Sequence, residues 1–255
     1  MKIEGNVVLI TGGASGIGES IARHFLSKNS IVYICDMNEE KGQKLEAETQ
    51  GKIKFIKCDI TNEDMVKSMI EKIKTDQGRI DSVVNSAGIA WGELIASEKG
   101  IHKSSAFEKV MKINVFGSFL VSKYACKLMI EKADKNNVCN GNIMFLASVA
   151  AFDGQKGQTA YSASKGALTG MILPMARDLG KYKIRVNCIA PGVIETPMSA
   201  GFGSTRVGKE ISGATPLKRF GLPIEIATTA EYIAFNDYVN ASVLRVDGGC
   251  RLPFF

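Results

Sequence analysis

The sequence predicts an α/β fold: a single doubly wound parallel sheet of seven strands with helices on both faces. Short β-branched runs alternate with longer amphipathic stretches along the whole chain, and several of these runs are apolar at nearly every position. The alternation is typical of βαβ units, and continuous apolar runs are typical of strands that helices cover on both sides. Since no linker interrupts the 255 residues, we expect one domain over residues 1–255.

The individual elements follow from these runs. Strands are predicted around residues 7–10, 31–35, 53–57, 82–85, 142–147, 184–189 and 242–246. Helices are predicted at about residues 17–27, 39–48, 62–77, 105–132, 160–180 and 223–236. Asn38 and Thr61 are placed to cap the second and third helices. The stretches 90–105 and 192–215 do not fit the alternation and are predicted to be functional loops, because such long loops are uncommon inside a compact domain.

Composition and charge are those of an ordinary globular protein. The chain is 45% hydrophobic and 23% charged, and its net charge of +6 comes from dispersed lysines rather than from a basic arm. A mild positive field favours anionic small molecules, and nucleic acid is not the expected ligand. We expect no membrane span, because no apolar run approaches the required length, and no signal peptide, because the first strand begins too early for one.

Six cysteines are spread along the chain without a CxxC pair and without clustering near the two histidines. They are Cys35, Cys58, Cys126, Cys139, Cys188 and Cys250. This spacing predicts neither a disulfide framework nor a metal site. Reduced and mostly buried thiols are the expected state.

A glycine-rich turn joins the first predicted strand to the first predicted helix. The letters TGGASGIG occupy residues 11–18. Glycines at positions 12, 16 and 18 would let the backbone approach a pyrophosphate, whose charge then faces the helix N-terminus. The spacing is GxxxGxG rather than the commoner GxGxxG, so a tight turn without a ligand remains an alternative. The setting favours a Rossmann-type dinucleotide site.

Two acidic residues at strand ends support this interpretation. Asp36 lies 18 residues after Gly18, where its carboxylate can accept both ribose hydroxyls of the adenosine half. It would repel a 2′-phosphate, and no Lys or Arg occurs between Gly12 and Gly18 to neutralise one, so the sequence predicts NAD rather than NADP. Asp59 closes the third strand and could hold an adenine amino group, cap the next helix, or do both.

Tyr161 and Lys165 are four residues apart at the start of a predicted helix and therefore share one face. An unperturbed tyrosine has a pKa of about 10, so only about one in a thousand is phenolate near pH 7. A nearby ammonium and a positive nicotinamide ring would favour the phenolate. Tyr161 could then take an alcohol proton while hydride leaves for the ring.

Two further polar residues precede this pair. Ser148 ends the fifth predicted strand, where its hydroxyl could donate to a substrate oxygen. Asn114 interrupts an apolar helical stretch and could bend that helix and pass protons through water to Lys165. An isolated YxxxK pair is usually an ordinary surface contact, but here it follows a cofactor turn, an intrahelical Asn and a strand-end Ser in the right order.

Together these motifs resemble the short-chain dehydrogenase/reductase family, and the resemblance covers the whole chain. The matching pieces are TGGASGIG, Asp36, CDI at 58–60, NSAG at 85–88, Asn114, Ser148, YSASK at 161–165, IAPG at 189–192, Thr196 and the carboxy-terminal VDGG. Ser86 departs from the family motif, which most often has a second Asn there. The resemblance implies that Ser148, Tyr161 and Lys165 are a catalytic triad and that Asn114 completes a tetrad.

The resemblance also implies the residues that would contact the two ligands. NAD contacts are expected from Gly12, Ser15, Gly16, Ile17, Gly18, Asp36, Asp59, Ile60, Asn85, Ala87, Gly88, Tyr161, Lys165, Pro191, Gly192, Val193, Ile194 and Thr196. Thr196 would hold the nicotinamide carboxamide. Substrate contacts are expected from Ser148, Gln155, Gln158 and Tyr161.

Within the family, the text ASVAAFDGQKGQTAYSASK and the segment 91–105 are most similar to the branch that oxidises 3-hydroxyacyl-CoAs and hydroxysteroids with NAD. This similarity implies a role in fatty acid metabolism, a homotetramer, and the mitochondrial matrix, otherwise the cytoplasm. The aromatic end with Phe254 and Phe255 fits an oligomer. Lys99, His102 and Lys103 could meet CoA phosphates, or be solvated loop charges.

Two other functions stay open at this point. A 3-oxoacyl-carrier-protein reductase shares the catalytic residues but generally prefers NADPH, against which Asp36 argues. A scaffold subunit of a mitochondrial RNA-processing complex, with a tRNA methyltransferase as partner, is also implied by the resemblance. A pure scaffold would not need the intact catalytic set, and the chain lacks a basic arm.

Overall fold

In the computed structural model, which describes residues 4–251, the central feature is one parallel sheet. Its strands are β1 Val7–Thr11, β2 Ile31–Asp36, β3 Ile53–Lys57, β4 Ser82–Asn85, β5 Gly141–Leu146, β6 Ile184–Pro191 and β7 Val243–Val246. They lie in the order β3-β2-β1-β4-β5-β6-β7, and every neighbouring pair is parallel. The predicted fold class is confirmed, and each predicted strand is present.

Helices cover both faces of this sheet. They are α1 Gly16–Ser27, α2 Glu39–Glu48, α3 Glu63–Gln77, α4 Ser104–Met111, α5 Ser118–Glu131, α6 Thr159–Leu179, α7 Arg206–Ala214 and α8 Pro223–Phe235. One buried cluster joins α3, α5 and α6 to the sheet, and a second joins α1, α2 and α8 to it. Leu9 belongs to the first cluster and its neighbour Ile10 to the second, because successive side chains of a strand point to opposite faces.

The sheet also fixes where a ligand can bind. β1 pairs with β2 on one side and with β4 on the other. After β1 the chain first builds the sheet on one side of this strand and then crosses over to build it on the other side. The loops that follow β1 and β4 therefore diverge. In open parallel sheets the crevice at such a switch point, outside the carboxyl ends of the strands, is the usual ligand site.

The predicted helix over residues 105–132 is interrupted. A π-helical turn, Lys112–Gly117, separates α4 from α5 and contains Asn114. The Asn114 side chain is fully buried and bonded outside its own helix, and π turns accommodate one extra residue at such places. The helix therefore departs from α geometry at Asn114, which is where the sequence predicted a bend.

The interpretation of residues 192–215 as a loop throughout is wrong, because α7 lies within that stretch. The Thr205 hydroxyl caps this helix by accepting a hydrogen bond from Gly208 N at 3.0 Å. Ile211 is buried and anchors the helix to the domain. Gly208 and Gly213 lower the helix propensity of the segment, which is why its sequence resembles a loop.

The predicted caps of α2 and α3 have different outcomes. Asn38 accepts a hydrogen bond from Lys41 N at 3.0 Å and caps α2 as predicted. Thr61 does not cap α3. The adjacent Asn62 does so, because its Oδ1 accepts hydrogen bonds from Asp64 N and Met65 N.

One helical stretch, Ser104–Glu131, is long and apolar enough to cross a membrane by length and composition alone, contrary to the expectation from the sequence. More than half of its most apolar window is buried inside the domain, where α5 contributes to the core beside α3 and α6. This is the environment of a core helix in a globular domain.

The cysteines are unbridged, and all except the half-buried Cys139 are buried. Burial raises the pKa of the Cys126 and Cys188 thiols to about 12. Among residues 4–251 no group of three or more His, Cys, Asp and Glu side chains is arranged to hold a metal ion.

The start of α8 is fastened by the Glu225 carboxylate. Glu225 accepts two hydrogen bonds from the Arg219 guanidinium, at 2.6 and 2.8 Å, and one from Leu222 N at 2.7 Å. The hydrogen bonds from Arg219, and to a lesser extent the one from Leu222 N, lower the pKa of Glu225 from 4.5 to about 2. The folded state therefore binds this proton more weakly than the unfolded chain does.

We expect Glu225 to stabilise the fold at neutral pH and to lose this contribution as the pH falls from about 4.5 towards 2. The difference in Tm between the wild type and Glu225→Gln should be constant from neutral pH to about pH 5 and shrink below that. Thermal unfolding of both proteins across this range checks it. A difference that stays constant into the acid range would contradict the prediction.

Candidate active site

A cavity of about 910 Å³ opens at the carboxyl edge of the sheet, where the loops after β1 and β4 diverge. This size is within the range of ligand sites, which is about 300–1,000 Å³. Residues that follow six different strands line it, including Gly12, Met37, Asp59, Ala87, Ser148 and Gly192. The cavity is therefore a crevice built by the strand ends, as expected for this sheet order.

The turn between β1 and α1 forms one wall of this cleft, and two of its glycines are required by close approach. A Cβ on Gly12, whose φ is +63°, would lie 2.7 Å from Ala87 Cα, and a Cβ on Gly18 would overlap the carbonyl oxygen of Gly12. The turn can therefore pack against the loop after β4 and against α1 only with glycine at these positions.

The N-terminus of α1 opens into the cleft. Ser15, Gly16 and Ile17 line the cavity, and the N-cap residue Ser15 makes no side-chain capping hydrogen bond. The first backbone N–H groups of α1 and its dipole are thus suited to a phosphate. The glycine cradle and this uncapped helix end fit the pyrophosphate of a dinucleotide.

Asp36 lies at the cleft wall at the end of β2. Its Oδ2 accepts a hydrogen bond from Ala14 N at 3.2 Å, and its Oδ1 accepts one from Asn38 N at 3.0 Å. Each carboxylate oxygen retains a second lone pair, so Asp36 can still accept hydroxyl donors. Among the described residues that line the cleft there is no arginine, and the three lysines are Lys109, Lys112 and Lys165.

Asp59 and Ile60 line the cleft after β3. The Asp59 Oδ1 accepts hydrogen bonds from Thr61 N at 2.9 Å and from the Thr61 hydroxyl at 2.8 Å. Asp59 thus forms a local turn before α3 and faces the cavity, but the predicted alternative that it caps α3 is wrong, because Asn62 caps that helix.

The loop after β4 is held by Thr11, for which no separate role was predicted from the sequence. The buried Thr11 Oγ1 accepts hydrogen bonds from Ser86 N and Ala87 N, each at 3.1 Å. Ser86, Ala87 and Gly88 line the cleft. In the sequence, this role was indicated by a threonine at the end of an otherwise apolar strand.

Asn85 is placed differently from its predicted cofactor contact. It is buried inside the sheet, where its Nδ2 donates to Ser122 Oγ at 3.0 Å and to Met144 O at 3.3 Å. It does not belong to the residues that line the cleft. Its position inside the sheet indicates that it supports the loop after β4 rather than contacting a ligand in the cleft.

Tyr161, Lys165 and Ser148 all line the cleft. α6 begins at Thr159, so the tyrosine and the lysine lie on its first two turns. The buried Lys165 Nζ donates to Leu146 O at 2.7 Å and lies 5.6 Å from the centre of the Tyr161 ring. Ser148 Oγ accepts from Ala150 N at 3.1 Å, which leaves its hydroxyl hydrogen able to donate into the cleft.

Comparison with known proteins agrees with this geometry. A family model described as enoyl-(acyl carrier protein) reductase matches residues 12–251. The chain is 38% identical over 253 residues to 3-hydroxyacyl-CoA dehydrogenase type-2 of Drosophila melanogaster, covering 98% of this chain and 99% of the relative. The chain belongs to the short-chain dehydrogenase/reductase family. It is an oxidoreductase, and enzymes of this family generally use NAD or NADP.

Other relatives cover the chain to the same extent. The 3-hydroxyacyl-CoA dehydrogenase type-2 of Homo sapiens is 35% identical, over 98% of this chain and 97% of the relative. A 3-oxoacyl-acyl-carrier-protein reductase of Thermotoga maritima is also 35% identical, over 98% and 99%. A crystal structure of 3-hydroxyacyl-CoA dehydrogenase type-2 from Mycobacterium avium superposes with a TM-score of 0.92 at 31% identity, over 99% of both chains.

In this short-chain dehydrogenase, Asn114 lies behind the cleft rather than on its wall. Its Oδ1 accepts from Ile89 N at 2.8 Å, and its Nδ2 donates to Ile89 O at 2.9 Å and to Ser164 Oγ at 3.0 Å. None of these bonds reaches Lys165. The side chain fastens the loop after β4 to α6, and the predicted water path to Lys165 remains a prediction.

The remaining predicted residues of the dehydrogenase face the cleft from the loops after β5 and β6. Gln155 and Gln158 line it, and Gln158 Oε1 accepts from Gln155 N at 3.1 Å. Further lining residues are Pro191, Gly192, Val193, Ile194 and Thr196. Thr196 N donates to Ser199 Oγ at 2.9 Å, which fixes the backbone at this point.

Several cleft residues were not predicted from the sequence. Trp91, Lys109, Lys112, Val149 and Met198 line the cavity. Of these, Trp91 and Met198 were indicated only by their positions in the stretches 90–105 and 192–215, which were predicted to be functional loops. Conversely, the His102 side chain is 5% exposed and lies near Glu93 and Phe107, so it is not available to a CoA phosphate.

Proposed function

We propose that this enzyme interconverts 3-hydroxyacyl-CoA and 3-ketoacyl-CoA with NAD as its cofactor. The observation that carries the reaction class is the buried Lys165 ammonium, 5.6 Å from the Tyr161 ring in a cleft that Ser148 also lines. The substrate class is supported by the fly and human relatives, whose names state 3-hydroxyacyl-CoA dehydrogenase.

The preference for NAD is supported by Asp36. Its carboxylate is fixed at the end of β2 by Ala14 N and Asn38 N, next to the glycine turn. A ribose with two free hydroxyls can donate to it, whereas a 2′-phosphate would be repelled. No arginine among the described lining residues would offset this repulsion.

When bound, NAD supplies the hydride acceptor for oxidation of the alcohol. Tyr161 Oη, as phenolate, takes the proton of the substrate hydroxyl in that direction and returns it in ketone reduction. Lys165 is held by Leu146 O and favours negative charge on the phenol.

Ser148 acts on the same substrate oxygen. Its hydroxyl hydrogen donates to that oxygen, where negative charge develops as the proton leaves. The bond that Ser148 Oγ accepts from Ala150 N holds the hydroxyl at the cleft wall. Gln155 and Gln158 lie on the segment that leads to Tyr161 and provide amide groups for the acyl end of the substrate.

A substrate panel tests this proposal. We expect acetoacetyl-CoA with NADH to give a kcat/KM at least about tenfold above that of a 3-ketosteroid or of small ketones without CoA. Initial rates with each ketone, using NADH and then NADPH, provide the comparison. Equal rates with acetoacetyl-CoA and with small ketones would contradict CoA recognition, while activity on any of them would still support the oxidoreductase.

A second candidate is a 3-oxoacyl-acyl-carrier-protein reductase, which the Thermotoga relative favours. The same panel extended to acetoacetyl-acyl-carrier-protein distinguishes the two. Asp36 argues against this activity, because such reductases generally prefer NADPH.

The remaining implications of the resemblance are proposals as well. A homotetramer is one of them, although the aromatic residues Phe254 and Phe255 that motivated it lie outside the described residues. A scaffold role beside a tRNA methyltransferase is a lesser one. The presence of Ser148, Tyr161 and Lys165 on the cleft wall supports an active enzyme rather than a scaffold alone.

A further inference from the structure

The loop between β4 and α4 reaches the cleft only through its first residues. Ala90, Trp91 and Gly92 line the cavity. The rest of the loop forms a short hairpin in which Ala96 pairs with Ile101 and Ser97 pairs with Gly100. These four hairpin residues are exposed. Trp91 therefore depends on contacts near the base of the hairpin for its position.

One carboxylate supplies those contacts. Glu93 Oε2 accepts a hydrogen bond from the Trp91 indole Nε1 at 3.2 Å and another from Lys103 N at 3.1 Å. Lys103 is the N-cap residue of α4 and has no side-chain capping bond of its own. The indole is thus tied, through one oxygen atom, to the first turn of a helix of the domain.

The backbone of Glu93 makes a third connection. Glu93 N donates to Gly157 O at 2.9 Å, next to Gln158 on the segment that leads to Tyr161. Glu93 therefore joins the loop after β4 to the loop after β5 and to α4. The hydrogen bonds from Lys103 N and Trp91 lower the pKa of Glu93, with a smaller effect of the nearby His102, so the bonds are charge-assisted.

The proposed cofactor and the acyl group share one cavity of about 910 Å³, and Trp91 lines it. A wall that is fixed in place limits the length of acyl chain that fits beside the cofactor, whereas a wall that can swing away does not. The Trp91 indole is the large apolar side chain that the loop after β4 contributes to this wall.

We infer that Glu93 is a positioning residue that sets the acyl-chain length accepted by the enzyme, by holding the Trp91 indole as a fixed wall of the cleft. This inference rests on the proposed 3-ketoacyl-CoA activity. Glu93 itself touches no reacting atom in this assignment and acts only through Trp91.

The chain offers a direct optical test, because Trp91 is its only tryptophan. In Glu93→Ala, the indole loses its acceptor, so its emission should shift to the red and acrylamide should quench it more strongly. In Glu93→Gln, the amide oxygen can accept the same two bonds, so the emission should remain close to that of the wild type. Glu98→Ala, which removes an exposed carboxylate in the same hairpin, is the matched control and should change nothing.

The kinetic test compares acetoacetyl-CoA with 3-ketodecanoyl-CoA. In Glu93→Ala the ratio of kcat/KM values, short over long, should fall about tenfold, which is the loss expected for one charge-assisted hydrogen bond. Trp91→Ala should lower this ratio similarly, and the double variant should lower it no further, because both changes remove the same wall. Glu93→Gln and Glu98→Ala should keep the wild-type ratio.

The outcomes separate this inference from the proposed function. Unchanged Trp91 emission in Glu93→Ala, or a chain-length ratio that stays at the wild-type value, would overturn the role of Glu93. So would effects of Glu93→Ala and Trp91→Ala on that ratio that add in the double variant. If the wild type turns over neither acyl-CoA, the proposed substrate fails and the chain-length assignment with it, while the emission measurement still decides whether Glu93 holds the indole.

Discussion

Replacing Tyr161 with Phe should lower kcat for ketone reduction by about 10²–10⁴-fold, the usual contribution of a general acid or base. The phenylalanine ring keeps the shape of the side chain but has no proton to give to the substrate oxygen. Affinity for NADH should stay within about two-fold of the wild type, because only the proton transfer is removed. Steady-state rates together with an NADH titration measure the two effects separately.

Tyr182→Phe is a matched control for this variant. Tyr182 is also half-buried and follows the far end of the same helix, outside the cleft. It should retain wild-type activity. A Tyr161→Phe enzyme that kept more than about a tenth of the wild-type kcat would show that another group transfers the proton.

Replacing Asp36 with Asn should reduce the preference for NADH over NADPH by about 100-fold. A carboxylate close to a 2′-phosphate is repelled by roughly 3 to 4 kcal/mol at an effective dielectric constant of about 20. At about 1.4 kcal/mol for each factor of ten, removing that charge should lower the ratio of kcat/KM with NADH to kcat/KM with NADPH by roughly two to three orders of magnitude. Asparagine keeps one acceptor oxygen for the backbone N–H of Ala14 or Asn38, so the glycine turn should remain in place.

The matched control for this variant is Asp59→Asn. Asp59 lines the same cleft beyond β3, where an adenine group rather than the ribose is expected, so its loss should weaken both cofactors about equally. Kinetics with both cofactors on both variants give the comparison. A ratio that stays unchanged in Asp36→Asn would mean that the adenosine ribose binds away from Asp36.

Much of the fold was predictable because its elements are encoded locally. The strands of a covered parallel sheet are apolar runs, and all seven were found within two residues of their ends. α7 was missed because its local sequence signals conflict. Gly208 and Gly213 lower its helix propensity, while the Thr205 cap and the burial of Ile211 stabilise it. The π turn at Asn114 depends on a partner, Ile89, that lies 25 residues away.

The candidate site was predictable where a residue type coincides with a strand end, as at Asp36 and Ser148, or with the start of a helix, as at Tyr161. It was not predictable where a position depends on contacts between distant loops. Asn85 and Asn114 belong to the predicted motifs, yet the structure places both behind the cleft wall as supports. The bond from Glu93 N to Gly157 O joins residues that only the strand order brings together.

The strand order also bears on how this sheet can be assembled while the chain is being made. With the strand order β3-β2-β1-β4-β5-β6-β7, each strand that follows β1 along the chain adds to an open edge of the sheet, and none must enter between two strands that are already paired. A chain leaving the ribosome from its amino end can therefore extend the sheet outwards from β1 in the order of translation. The adenosine half of the crevice would be complete once β4 and its loop have emerged, well before Tyr161 has been synthesised.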